Sequence, residues 1–272
     1  MNLDAANDFM YAGERLSDYQ MMLCRFDGSS NEAISAGSNL NFNTVRPVNS
    51  DRFFLVNTSY EEPLTATFQI CKNRCYASDI SIKPEELSAM LRWLGRKDRY
   101  HKLKLYQADY EELFFIGSFH NIQEIKTGNS IHGLEMNFLS DSPYAYMDTV
   151  ELDFTVDRSN PHTIVNLSHE TGHLYPSVFT CKCLSSGNLQ ITNSIENRMT
   201  EIKNCVKDEI ITLQGQTKEI TSSKTDHMLY NDFNYNYFRL ANTYHNNINT
   251  ITTSIPCEIH IEYNPIRKVG LG

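Results

Sequence analysis

Lys83-Pro84-Glu85-Glu86-Leu87-Ser88-Ala89-Met90-Leu91-Arg92-Trp93-Leu94-Gly95 decides the fold class, because its apolar residues recur at helical spacing while those around it do not. Leu87, Met90, Leu91 and Leu94 fall at i, i+3, i+4 and i+7, one stripe of an α-helix. Pro84 suits a first turn, where its missing N–H would have had no partner, and Glu85 and Glu86 meet the positive end of the helix dipole. Gly95 supplies the stop. The stripe reads as a core-packing face rather than a cofactor site.

Working outward, the flanking segments read as strands. Leu40-Asn41-Phe42-Asn43-Thr44-Val45 and Thr65-Ala66-Thr67-Phe68-Gln69-Ile70-Cys71 alternate with period two, as strands with one wet face do. Leu103–Tyr106 and Gly133–Phe138 alternate likewise, and Leu113-Phe114-Phe115-Ile116-Gly117 is a buried run. Near the start, Phe9–Tyr11 and the residues after Glu14 are two extended pieces joined by a turn at Ala12-Gly13-Glu14, followed by a strand at Met22–Phe26. Asp27-Gly28-Ser29-Ser30, Asp109-Tyr110-Glu111 and Ser140-Asp141-Ser142-Pro143-Tyr144 carry turn chemistry. The last of these leads to a domain boundary at residue 149, giving domains 1–149 and 150–272.

The second block contains no helical period. Strands are expected at Glu151–Val156, Thr163–Leu167, Ser177–Cys183, Leu189–Asn193, Glu209–Leu213, Glu219–Thr221, Tyr237–Leu240, Thr250–Ser254 and Glu258–Tyr263. Their spacing of a dozen or so residues, with turn formers between, points to a β-sandwich. Composition agrees: 15 Tyr and 14 Phe against one Trp, with frequent Thr and Ile, suit pleated, half-buried surfaces.

A chain of 272 residues with net charge −9 is long enough for one large or two medium domains. Its sign opposes nucleic-acid or anionic-membrane binding. No run of apolar residues reaches the ~18–20 that a membrane helix needs, and Met1–Met10 lacks the basic start of a signal peptide. Seven cysteines in such a chain read as reduced thiols packed like small hydrophobes.

His169-Glu170-Thr171-Gly172-His173 spells H-E-x-x-H, which in zinc proteases sets two imidazoles one helical turn apart with Glu as general base. That geometry requires a helix. Here strand-like Thr163–Leu167 precedes the motif and Pro176 follows it, so the segment reads as a polar loop between strands. Cys71-x3-Cys75 has no second knuckle, and Cys181-x-Cys183 places both thiols on one face of a strand, toward the core. No metal is assigned. No Gly-rich phosphate loop or nucleophile elbow occurs, and nothing in the motifs reads as an enzyme. The run from Arg92 to Lys104 is the basic cluster of the chain, interrupted by Asp98, and suits an acidic protein surface.

Taken in order, these features resemble the distal tail protein (Dit) family of long-tailed phages and phage-tail-like particles. The resemblance is carried by Phe9–Tyr19, by Leu91-Arg92-Trp93-Leu94-Gly95 with Tyr100-His101-Lys102-Leu103, and by Asp141-Ser142-Pro143-Tyr144-Ala145-Tyr146. In the second block it is carried by Gly172–Phe179 and Cys257–Ile266. Leu240–Asn249 departs from it, with Asn where the family tends to have Gly. The resemblance implies a mainly β chain, with an N-terminal β-barrel-like domain bearing one helix and a C-terminal galectin-like β-sandwich. It further implies a homo-hexameric ring at the tail tip, synthesised in the bacterial host cytoplasm. That ring would join tail tube protein to tail hub and to other baseplate or receptor-binding proteins, with no cofactor, catalytic residue, nucleic acid or membrane. Arg92, Arg96, Lys97 and Arg99 are the expected subunit-interface residues. Two other functions compete: a glycan-binding module using Tyr230, Phe233, Tyr235 and Tyr237, and the zinc protease of His169-Glu170-x-x-His173.

Overall fold

The computed structural model describes residues 8–26, 37–76, 79–107 and 112–269. They form two compact units. One comprises the chain up to Tyr146 together with the stretch from Arg267, and the other is Met147–Ile266. The fold is mainly β with one substantial helix, as expected from sequence.

In the first unit the strands are β1 (Asp8–Tyr11), β2 (Glu14–Arg15), β3 (Met21–Leu23), β4 (Leu40–Val45), β5 (Phe54–Tyr60) and β6 (Thr65–Lys72). After helix α1 (Pro84–Leu94) come β7 (His101–Tyr106), β8 (Leu113–Thr127), β9 (Ser130–Ser140) and the short β10 (Ala145–Met147). An antiparallel path β2-β1-β7-β8-β9-β6-β3 makes one sheet, and among the described residues it does not close into a barrel. The start of this sheet follows from its turn. Ala12 and Gly13 both adopt positive φ, 53° and 86°, the two-residue hairpin geometry that matches strand twist. Phe9 and Tyr11 are thereby set on the buried face opposite Leu105 and Leu103. The expected turns at Asp27–Ser30 and Asp109–Glu111 lie outside the described residues.

Helix α1 has the predicted bounds, and Glu86 accepts the Lys83 backbone N–H at 2.7 Å. The predicted stripe needs one correction. Met90, Trp93 and Leu94 are buried, whereas Leu91 is 42% exposed. At ~100° per residue, Trp93 lies about 60° to one side of Met90 and Leu91 about 100° to the other. The large indole therefore draws the buried face toward itself. Trp93 stacks on Tyr19 (centroids 4.6 Å apart) and on Phe9 (5.8 Å).

The second unit contains β11 (Val150–Val156), β12 (His162–Val165), β13 (Gly172–Leu174), β14 (Val178–Cys183), β15 (Gly187–Asn193), β16 (Met199–Cys205), β17 (Ile210–Gln214) and β18 (Glu219–Ser222). After the single turn of α2 (Leu229–Asp232) come β19 (Leu240–Asn242), β20 (Ile248–Thr253), β21 (Cys257–Tyr263) and the start of β22 (Ile266–Arg267). A five-stranded sheet, β11-β21-β14-β17-β18, and a four-stranded sheet, β12-β20-β15-β16, contribute side chains to one core, and β13 pairs β19 separately. Alternation is clean on the inner strands: Phe179, Cys181 and Cys183 of β14, and Ile259, Ile261 and Tyr263 of β21, all point inward.

The expected strand at Tyr237–Leu240 is displaced to Leu240–Asn242. Tyr235 takes a left-handed φ of 59°, and the Asn234 and Asn236 amides both donate to Met199 O, at 2.9 and 3.2 Å. Side-chain hydrogen bonds thus compete successfully with a ladder. Strands β5, β13 and β16 lack a clean period-two signal: β5 opens on an apolar run, β13 is three residues long, and Lys203-Asn204 breaks the alternation of β16.

Candidate assembly surface

Strands β4 and β5 pair only with each other among the described residues. Every residue of β4, and every residue of β5 except half-buried Tyr60, is exposed. This corrects the expectation that Leu40–Val45 has one buried face. Near the foot of this arm, Leu40 and Phe42 oppose Tyr60 and Thr58 on one face, while Asn43 and Asn57 join through their amides at 2.7 Å on the other. A bulge at Asn43/Thr44 then shifts the register, and an extra residue in one strand re-aims the side chains beyond it. Toward the tip, Val45 opposes Phe54 and Thr44 opposes Leu55. Phe42, Phe54 and Val56 are 58%, 57% and 64% exposed, and Val48 in the turn is 92% exposed. The turn is built for this extension. Arg46 bonds Ser50 O at 2.6 Å and Asp51 at 2.8 Å, and Asn49 takes φ 64°.

A two-stranded ribbon with no core beneath it is marginal in water, and contiguous exposed apolar side chains mark interaction surfaces. Residue pattern alone did not find this site. Phe53-Phe54-Leu55-Val56 was the available signal, four apolar residues in succession, but a buried strand gives the same signal.

The four predicted interface cations share the C-terminal end of α1 without acting alike. Arg92 and Lys97 are exposed, while Arg96 is half-buried and pairs with Glu14 at 2.5 Å. Arg99 lies 3.9 Å from Asp98, which also bonds buried His101 at 2.9 Å. That hydrogen bond holds the Asp98 carboxyl below its ordinary range. The patch is therefore partly neutralised from within, while Arg92, Lys97 and Arg99 stay exposed.

The H-E-x-x-H segment is not helical. His169 and Glu170 form a bend, whereas His173 lies on β13 in extended backbone. Asn242 clamps the bend by donating to Ser168 O at 2.7 Å and Glu170 O at 2.9 Å, and His169 N–H bonds Ile266 O. The Asn242 amide thus satisfies the loop's backbone carbonyls. His173 Nδ1 sits 2.6 Å from Glu196, which Arg239 also holds at 2.5 Å. Burial and the Arg239 cation lower the His173 pKa. The motif thus lacks the i, i+4 helical face that zinc chemistry demands.

Of the four aromatics considered for glycan contact, Phe233 belongs to the core and Tyr237 is half-buried, its hydroxyl on Lys218 O. Tyr230 and Tyr235 are exposed, with the Tyr235 hydroxyl on Tyr230 O at 3.0 Å.

A model described as "Phage tail protein N-terminal domain" matches residues 5–142, and one described as "Phage tail C-terminal domain" matches residues 144–263. The chain belongs to the phage tail protein family. The fold of this tail protein is that of the SPP1 Dit protein, whose structure is described as a paradigm of the hub adsorption apparatus in phages infecting Gram-positive hosts. The two share 12% identity, with TM-score 0.65, over 94% of this chain and 98% of the other. A chain of the phage P2 baseplate in its activated conformation with calcium is also similar, at 8% identity and TM-score 0.46 over 94% and 97%. No curated protein sequence matches. The resemblance to distal tail proteins holds in fold, and the family shown is that of phage tail proteins. Phage tail proteins are components of the virion.

Proposed function

We propose that this tail protein is a distal-tail ring subunit: six copies close into a ring at the tail tip, joining the tail tube protein to the tail hub and to peripheral baseplate or receptor-binding proteins. The chain is made in the host cytoplasm and carried in the virion without catalytic turnover. The observation that carries the reading is the β4–β5 arm, whose apolar side chains are exposed and have no cover among the described residues.

A closed ring needs heterologous contacts, so each subunit must present two different complementary patches. The arm is one, and a neighbouring copy is its natural occupant. The cationic end of α1 is the other, with Arg92, Arg96, Lys97 and Arg99 marking it by charge. Exposed Glu61 and Glu62, at the foot of the arm, supply the opposite sign on the same chain. Charges of this kind fix register more than affinity.

Light scattering after size-exclusion chromatography tests the reading, alone and with the tail tube protein added. The expected result is six times the chain mass, reduced to one by Leu55→Asp. A strictly monomeric chain under both conditions would overturn it.

A further inference from the structure

Four of the seven cysteines meet in the second unit although they come from three separate strands. Cys181 and Cys183 lie two apart on β14, Cys257 opens β21, and Cys205 closes β16 in the facing sheet. All four are buried. The sulfur atoms of Cys181, Cys183 and Cys257 lie within 4.8 Å of one another, and Cys205 shares their buried core with its Sγ turned to Ile202 O at 3.4 Å.

Topology produces this convergence. Cys183 is the direct cross-strand partner of Cys257. Its N–H goes instead to Glu209 O on the other side, while Leu184 N–H bonds Pro256 O. Cys183 and Cys257 are therefore a non-hydrogen-bonded pair, the closer of the two antiparallel pairings. Cys181 follows on the same inward face, and Cys205 approaches from the opposite layer.

We propose that Cys181, Cys183 and Cys257 hold one soft or borderline-soft metal cation of the zinc class, with Cys205 of the same core turning from Ile202 O to supply the fourth sulfur. A zinc–sulfur bond of about 2.3 Å in a tetrahedron spaces the sulfurs roughly 3.8 Å apart. Small thiol rotations bring a cluster already within 4.8 Å to that spacing. An all-sulfur donor set selects zinc or cuprous ions over hard cations. On binding, each ligating thiol gives its proton to solvent and its lone pair to the ion, with no redox step. The bound ion would tie β14 and β21 to β16, linking the two sheets. Because the sulfurs are closed off from solvent, the ion enters as the unit folds.

The test uses the full chain, expressed with zinc in the medium and also refolded with cobalt(II). Elemental analysis should give one zinc per chain, and zinc-edge X-ray absorption should show a sulfur shell at about 2.3 Å. The cobalt form should display thiolate charge-transfer and tetrahedral visible bands. Cys183→Ala and Cys257→Ser should each lose the metal, whereas Cys75→Ala, at an exposed thiol, should retain it. The wild-type absorption spectrum decides the matter even if a core variant fails to fold. Metal below one tenth per chain, a nitrogen and oxygen shell alone, loss of zinc in His169→Ala, or a mass deficit showing these thiols joined as disulfides would each overturn the proposal.

Discussion

Trp93 donates its indole N–H to the carbonyl of Tyr11 at 2.8 Å, across 82 positions of sequence. This buried bond fastens the one substantial helix to the first hairpin, and the same indole lies between the rings of Tyr19 and Phe9. Removing it should both empty a cavity and orphan an acceptor. Trp93→Ala is expected to cost about 3–5 kcal/mol, and Trp93→Phe about 1–3 kcal/mol through the unpaired carbonyl. Urea unfolding followed by circular dichroism measures both, and equal costs for the two variants would contradict this account.

The exposed arm leads to the opposite expectation. Phe42→Ser and Phe54→Asp remove no buried contact, so monomer stability should move by no more than about 0.5 kcal/mol. Assembly should fail all the same. Paired measurements of melting temperature and oligomer mass separate the effects, and a folding defect in either variant would show that the arm packs on its own subunit.

Charge reversal addresses the second patch. The Arg96–Glu14 pair is partly exposed, so its removal should cost at most about 1 kcal/mol. Arg92→Glu should weaken ring formation, with restoration when Glu61→Arg is added. Titration of oligomer mass against salt should show the wild-type ring weakening as the charges are screened. Indifference of the ring to both charge and salt would remove the patch from the interface.

A buried ion pair gives the second unit a pH signature. His227 Nδ1 lies 2.5 Å from the Glu209 carboxylate, which also accepts from Ser222 and from the Val206 N–H. Burial opposes both charges, yet the hydrogen bonds lower the Glu209 pKa and raise that of His227. The His227 contribution is complete below its unfolded value of about 6.5 and fades as pH rises through the higher folded value. The Glu209 contribution is complete above about 4.3 and fades as pH falls through the lower folded value. The pair therefore stabilises most between those limits. His227→Gln should flatten the loss of stability on the alkaline side. It should also cost about 3–5 kcal/mol near pH 6, because it strands a buried carboxylate. An unchanged pH profile would contradict the pairing.

The Asn242 clamp predicts a local effect. Asn242→Ala leaves the Ser168 and Glu170 carbonyls without their donor, a loss of about 1–3 kcal/mol. Amide exchange should quicken around residues 168–171, and protection equal to wild type there would rule the clamp out.

Local chemistry alone determined a good part of this protein. Helix α1 follows from Pro84, the two glutamates and Gly95, and most sandwich strands follow from alternation, because those signals act within a few residues. The non-helical state of His169–His173 was legible for the same reason, with a strand before it and Pro176 behind. Tertiary structure decided what depends on partners far along the chain. Leu91 lost its place in the core to Trp93 because Phe9 and Tyr19 receive the larger ring. Leu40–Val45 became an exposed arm because, among the described residues, no third strand pairs with it, an absence that period-two alternation cannot register. Cys205 joined Cys181, Cys183 and Cys257 only through the stacking of two sheets, since the pattern within a strand gives the face of a side chain but not what the opposite layer sets against it.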